Sequence, residues 1–377
     1  MDLTFDDATE GFRTEVRDFL AANRSHFPTK SYDTAEGFEQ HRRWDRVLFD
    51  AGLSVIAWPQ KYGGRDATLL QWIVFEEEYF RAGAPGRASA NGTSMLGPTL
   101  FAHGTEEQRM RVLPKMASGE EIWAQAWSEP DSGSDLASLR STATRTDGGW
   151  KLNGQKIWSS RAPFGDRAFG LFRSDPAAQR HKGLTYFMFD LRAEGVTVRP
   201  IAQLGGDTGF GEVFLDDVFV PDDDVIGAVD DGWRAAMSTS SNERGMSLRS
   251  PARFLAPAER LVAAWQSHRD PAYADRVADA WIKAQAYRLH TFGTVTRLAG
   301  GGELGAESSV TKVFWSDLDV DLHQTALDLR GADAELADDA WTDGLLFALG
   351  GPIYAGTNEI QRNIIAERLL GLPREPK

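Results

Sequence analysis

The chain has 377 residues, of which 42% are hydrophobic and 25% charged, and its formal net charge is −14. That balance suits a soluble globular protein of two or three packed units and argues against nucleic acid or an anionic membrane as the main partner. There is no cysteine, which excludes disulfides, thiol nucleophiles and thiolate metal sites.

The opening residues Met1-Asp2-Leu3-Thr4-Phe5-Asp6-Asp7 lack the basic and apolar regions of a signal peptide. No apolar run approaches the ~18 residues of a membrane span, so a cytoplasmic enzyme is expected. Residues 1–120 read as a helical domain with short Gly/Pro breaks. Phe12, Val16, Phe19 and Leu20 share one face of a first helix. Trp72, Phe75, Glu76, Tyr79 and Phe80 mark another, ended by Gly83-Ala84-Pro85. An aromatic stripe at helical spacing reads as core rather than as a cofactor contact. Pro114 is read as the start of a turn.

Residues 121–228 switch to strands. Thr142–Thr146, Trp150–Leu152 and Gln155–Trp158 are separated by Asp147-Gly148-Gly149 and Asn153-Gly154. Successive hairpins are predicted, because Asn-Gly accepts the positive φ of a two-residue turn. Leu184–Leu191, Val196–Ile201 and Glu212–Val220 supply further strands. Pro221-Asp222-Asp223-Asp224 closes the region. With no spaced ligands after it, it reads as a solvated acidic turn rather than a calcium loop.

Residues 229–377 are helical again, in segments Gly232–Trp265, Ala274–Gly300, Ser308–Leu329 and Thr357–Leu370, enough for a four-helix bundle. The last segment follows the Gly-rich turn Gly350-Gly351-Pro352-Ile353-Tyr354-Ala355-Gly356. Thr357 is placed to cap it, with Glu359 in the first turn and Ile360, Ile364 and Leu369 at helical spacing. Helices, strands, then helices give an α+β order, with a helical domain, a small β domain and a helical bundle. The seven histidines show no paired spacing for a metal.

Two segments carry the chemistry: Trp127-Ser128-Glu129-Pro130-Asp131-Ser132-Gly133-Ser134-Asp135 and Tyr354-Ala355-Gly356-Thr357-Asn358-Glu359-Ile360-Gln361-Arg362. Together they resemble the acyl-CoA dehydrogenase family of flavoproteins over nearly the whole chain. The resemblance implies FAD, with Trp127 and Ser128 at the isoalloxazine edge and Gly133 and Ser134 near the phosphates. In Lys156-Ile157-Trp158-Ser159-Ser160, Trp158 matches the flavin-wall Trp and Ser160 the hydroxyl residue at flavin N5. Thr357 and Glu359 match positions that touch the cofactor. Family members place cofactor contacts across a subunit interface, so a homodimer or homotetramer is expected, with a heterotetramer as the alternative. An electron-transferring flavoprotein or other acceptor is expected to reoxidise the flavin.

Dehydrogenation of an acyl thioester, whether acyl-CoA or bound to a carrier protein, needs a base for the α-proton, with flavin N5 taking the β-hydride. Many relatives carry that base as Glu immediately before Gly-Thr, where this chain has Ala355; the resemblance implies that its backbone N–H, with a flavin ribityl hydroxyl, polarises the thioester carbonyl. Others carry it as Glu-Arg on the first helix of the bundle, which Glu243-Arg244 supplies, with Glu243 as base and Arg244 as a positioning partner. The rival readings are a flavin oxidase or monooxygenase on the same fold, and a non-catalytic partner subunit of a heterotetrameric dehydrogenase.

Overall fold

The computed structural model describes residues 5–243, 250–302, 305–336 and 339–374. Contacts divide the chain into two compact units. One comprises Asn23–Ala67 and Pro85–Asn242, the other Met1–Ala22, Thr68–Ala84 and Glu243–Lys377.

The first unit is built on a mixed sheet. Its strands are β1 (Trp123–Ala126), β2 (Thr142–Thr146), β3 (Gly149–Ser160), β4 (Arg167–Arg173), β5 (Leu184–Asp190), β6 (Val196–Ile201), β7 (Phe210–Pro221) and β8 (Val225–Ile226). They lie in the order β6-β7-β3-β2-β4-β5-β8, with β1 parallel to β4. Buried Trp150, Leu152, Phe172, Phe187, Phe189, Val213 and Val218 form the core beneath the sheet. The same unit holds helices α2 (Ala35–Asp50), α4 (Gly97–His103), α5 (Glu106–Ala117) and α6 (Gly232–Glu243) as far as Asn242, and a π-helical turn at Gly92–Leu96. The other unit is helical: α1 (Asp7–Ala22), α3 (Leu69–Arg81), α7 (Ala252–His268), α8 (Ala274–Ala299), α9 (Glu307–Arg330), α10 (Ala340–Ala348) and α11 (Asn358–Ile364). Phe254, Leu261, Tyr287, Trp315, Leu318 and Leu322 pack its centre. The α+β class is as the sequence implies.

The aromatic stripe of α3 is core: Trp72, Phe75 and Tyr79 are buried. Beside it, Glu77 and Glu78 are buried too, and Arg13 and Arg17 of α1 and Arg288 of α8 pair with them.

Four local expectations change. Asn153-Gly154 makes no hairpin; β3 runs through it as one strand with a register shift against β7. Gly154 has φ of 141°, and a Cβ there would lie 2.2 Å from Ser141 Oγ, while both Asn153 side-chain groups bond to Asp217. The result is a β-bulge, fixed by residues distant in sequence. Pro114 lies inside α5, which a Thr105/Gln108 capping box and buried Val112, Leu113 and Met116 hold despite the missing N–H. The segment Gly232–Trp265 is two helices, with Pro251 at the N-terminal boundary of α7, a position proline tolerates. Asp224 is not solvated but buried, gripped by Arg111 and Arg167.

Candidate active site

Beyond β1 the chain turns through Trp127 and Ser128, both half-buried, into a tight turn closed by paired backbone bonds between Glu129 and Ser132. Gly133 and Ser134 follow on the surface, and a Cβ at Gly133 would meet nothing within 4 Å. Glu129 fixes this loop from beneath. Its carboxylate accepts the N–H groups of Arg140 (2.6 Å) and Ser141 (2.9 Å) and pairs with Lys156 at 2.8 Å. Burial opposes its ionisation, but the Lys156 ammonium and these donors outweigh burial and hold the carboxyl below its ordinary range. Lys156 is 0% exposed and also donates to the Leu171 and Trp127 carbonyls, so three oxygens surround its charge.

Strand β3 then leaves register between Lys156 and Ser159. Ile157 N–H is diverted to Ser128 O at 2.8 Å, which ties the strand to the Trp127-Ser128 loop. At the bulge Trp158 adopts φ of 57° and is 57% exposed. A large indole held outward on a left-handed backbone is a strained arrangement, of the kind that clusters at functional sites. Ser159 Oγ is buried with no hydrogen-bond partner among the described residues, and the Ser160 carbonyl accepts from Asn91 Nδ2.

In the helical unit, Ala355 (φ 56°) and Gly356 (φ 81°) bend the chain into α11. Thr357 caps that helix, accepting from Ile360 N–H at 3.2 Å, and Glu359 is exposed in its first turn. Gln361 Nε2 lies within reach of the Ala355 and Gly356 carbonyls. Asn358 is buried, accepts from Lys312 at 2.7 Å and donates to Asp317 at 3.0 Å. Glu243 is the last residue of α6; its side chain and all of Arg244 lie outside the described residues.

Residues 6–120, 124–218 and 230–370 match the N-terminal, middle and C-terminal domain models of acyl-CoA dehydrogenases. The acyl-CoA dehydrogenase IpdE1 of Mycobacterium tuberculosis is 40% identical, over 98% of this chain and 99% of the relative. Among solved structures, the Tcur3481-Tcur3483 steroid ACAD has a TM-score of 0.89 at 27% identity and covers 100% of both chains. The ChsE4-ChsE5 complex from Mycobacterium tuberculosis gives 0.84 at 26%, covering 99% of this chain and 100% of that one. The chain therefore belongs to the acyl-CoA dehydrogenase family of FAD flavoproteins. It is an oxidoreductase acting on CH–CH bonds.

The residues present fit a flavin. The outward indole of Trp158 offers an aromatic face, the next residue, Ser159, carries a buried hydroxyl with no partner among the described residues, and the Gly133-Ser134 turn is open to a ligand. Among the described residues no carboxylate or histidine cluster could hold a metal. No helix among them is long and apolar enough to cross a membrane.

Sequence reasoning missed Lys156 as a determinant of this site. The alternation Trp150, Leu152, Lys156 places it on the buried face, and that pattern was the available signal.

Proposed function

We propose that Glu243 takes the α-proton of an acyl thioester while the Ala355 backbone N–H polarises the thioester carbonyl. Bound FAD supplies the hydride acceptor, N5. Trp127 and Ser128 would meet the isoalloxazine edge, Trp158 its face and Ser160 the N5 region. Gly133 and Ser134 would lie at the phosphates, and Thr357 and Glu359 would approach from the C-terminal turn. Arg244 would orient the base. One observation carries the choice of base: the turn position before Gly356 holds an alanine, whereas α6 ends on Glu243. A relative named a steroid ACAD favours a bulky polycyclic acyl group, delivered as an acyl-CoA. A cytoplasmic enzyme that reduces an electron-transferring flavoprotein completes this reading.

The test is anaerobic mixing of the FAD-loaded protein with acyl-CoA thioesters while flavin absorbance is followed. Glu243→Gln keeps shape and loses proton affinity, so bleaching should slow by ~10²–10⁴-fold with FAD retained. Bleaching at the wild-type rate would remove Glu243 from the mechanism. Assembly with a non-identical partner is favoured by the paired names of two similar structures, against a homodimer or homotetramer. The solution mass of the purified chain, alone and with such a partner, separates these.

A further inference from the structure

Between Trp127 and helix α6 lies a run of buried hydroxyls. The Trp127 indole N–H donates to Tyr186 Oη at 3.1 Å. Tyr186 Oη is 3.3 Å from Thr239 Oγ1, which is 2.7 Å from Thr99 Oγ1. The Thr99 hydroxyl reaches the Met95 carbonyl at 2.8 Å, and Thr239 also lies 3.1 Å from the Ala235 carbonyl. Tyr186, Thr99 and Thr239 are each 0% exposed. An indole N–H can only donate, so Tyr186 Oη accepts from Trp127; each hydroxyl carries one proton, so Thr239 donates to only one of Tyr186, Thr99 and the Ala235 carbonyl.

Packing alone does not account for this. Valine fills nearly the same space as threonine, and a buried hydroxyl is unfavourable unless its bonds are made. Here every hydroxyl has a partner, and the bonds join three separate elements: the loop after β1, strand β5 and helix α6, with α4 behind them. Helix α6 depends on such ties. In its last two turns, Met237 to Glu243, the five residues Ser238-Thr239-Ser240-Ser241-Asn242 are weak helix formers, so its placement has to come from tertiary contacts. Thr239 stands one turn before Glu243 on that helix. At the far end, Met95 belongs to the π-helical turn Gly92–Leu96, a distortion common beside functional sites.

We propose that Thr239 is a positioning residue, fixing the end of α6, and with it Glu243, against the loop that carries Trp127 and Ser128. The inference rests on the reading of Glu243 as the base. It adds that the base is held through a hydroxyl chain to the residue assigned to the flavin edge.

The experiment compares Thr239→Val, Thr239→Ser, Glu243→Gln and the double variant Thr239→Val/Glu243→Gln, all FAD-loaded, in anaerobic flavin reduction by saturating acyl-CoA. Thr239→Val should slow reduction about tenfold, with FAD occupancy and acyl-CoA Kd unchanged, and Thr239→Ser should recover most of the rate. In the double variant the valine should slow reduction no further than Glu243→Gln alone, because a residue acting through Glu243 has nothing left to position. Tyr186→Phe, which removes the hydroxyl between Trp127 and Thr239, should repeat the effect and replaces Thr239→Val if that variant fails to fold. Wild-type reduction by Thr239→Val or by Tyr186→Phe, equal slowing by valine and serine, or additive losses in the double variant would each overturn the proposal. These results leave the base assignment standing when Glu243→Gln alone is slow. A fast Glu243→Gln removes the base and the proposal together.

Discussion

Glu129 and Asp45 are buried carboxylates in the same unit, and their proton affinities are shifted in opposite directions. Glu129, beneath the Trp127 loop, accepts two backbone N–H groups and touches the Lys156 ammonium, and its carboxyl is held below the ordinary range. Asp45, on α2, accepts the Ser89 N–H at 2.9 Å, and its Oδ1 has no hydrogen-bond partner among the described residues. Burial pushes Asp45 up to about 6, a rise that the Ser89 bonds and the charges of Arg87 and Arg161 offset only in part. Burial is common to both groups; a cation in contact is not. Direct contact decides whether a buried carboxylate is a fixed anchor or a titrating group.

The strongest way to break this contrast is Lys156→Met, which turns the Glu129 site into one like Asp45. Removing one partner of a buried ion pair typically costs ~3–5 kcal/mol. Urea unfolding at neutral pH should show that loss, and FAD should be held less tightly because the Trp127 carbonyl loses a donor. The pH dependence follows from sign. In the wild type the folded Glu129 value is depressed below 4.5, so its stabilisation is present above 4.5 and is lost as pH falls through the folded value. Without Lys156 the folded value rises instead, and the deficit should shrink as the solution is acidified. A deficit equally large at pH 7 and pH 4 would mean that the lysine acts by packing alone.

Parts of this were legible in the sequence. The 3.6-residue spacing of Phe12, Val16 and Leu20 and the apolar run Leu184–Asp190 are local signals, and the structure has a helix and a strand there. The bulge at Gly154 was not legible, since Ser141, just before β2, and Asp217 of β7 impose it from elsewhere in the sheet. The Glu129–Lys156 pair joins residues 27 positions apart, and only the sheet brings them within 2.8 Å. Trp158 was readable as a flavin-wall candidate by motif, but its exposure depends on a register shift against β7 that spacing does not reveal. Strands β1 and β4 and helix α10 escaped because short or continuously apolar segments lack a distinct period.

The second test reverses the sign. Asp45→Asn keeps an oxygen for the Ser89 N–H and removes the charge. Because the folded value of about 6 exceeds the ordinary 3.8, wild-type stability falls as pH rises from 3.8 to about 6 and then levels. The asparagine variant should therefore be more stable at pH 8 by about 1–3 kcal/mol and nearly equal to wild type below pH 4. His41, one turn earlier, is buried against the Gly86 and Lys30 carbonyls, and burial pushes its pKa down. It is present in both proteins and cancels from the difference. A variant less stable than wild type at pH 8 would show that ionised Asp45 is compensated after all.

The smallest expected effect sharpens the second test by separating Asp45 from the helix that carries it. Thr34 caps α2, accepting the Gly37 N–H at 3.1 Å. Thr34→Ala should cost about 1 kcal/mol through the orphaned donor, and Thr34→Ser should recover most of it. Neither Thr34 nor Gly37 has a side chain that titrates, so thermal melts at pH 5 and pH 8 should give the same loss. Asp45→Asn should differ between those two pH values. If the cap variant also varied with pH, the titration would belong to the placement of α2 as a whole, and the carboxylate at position 45 would no longer stand as its source.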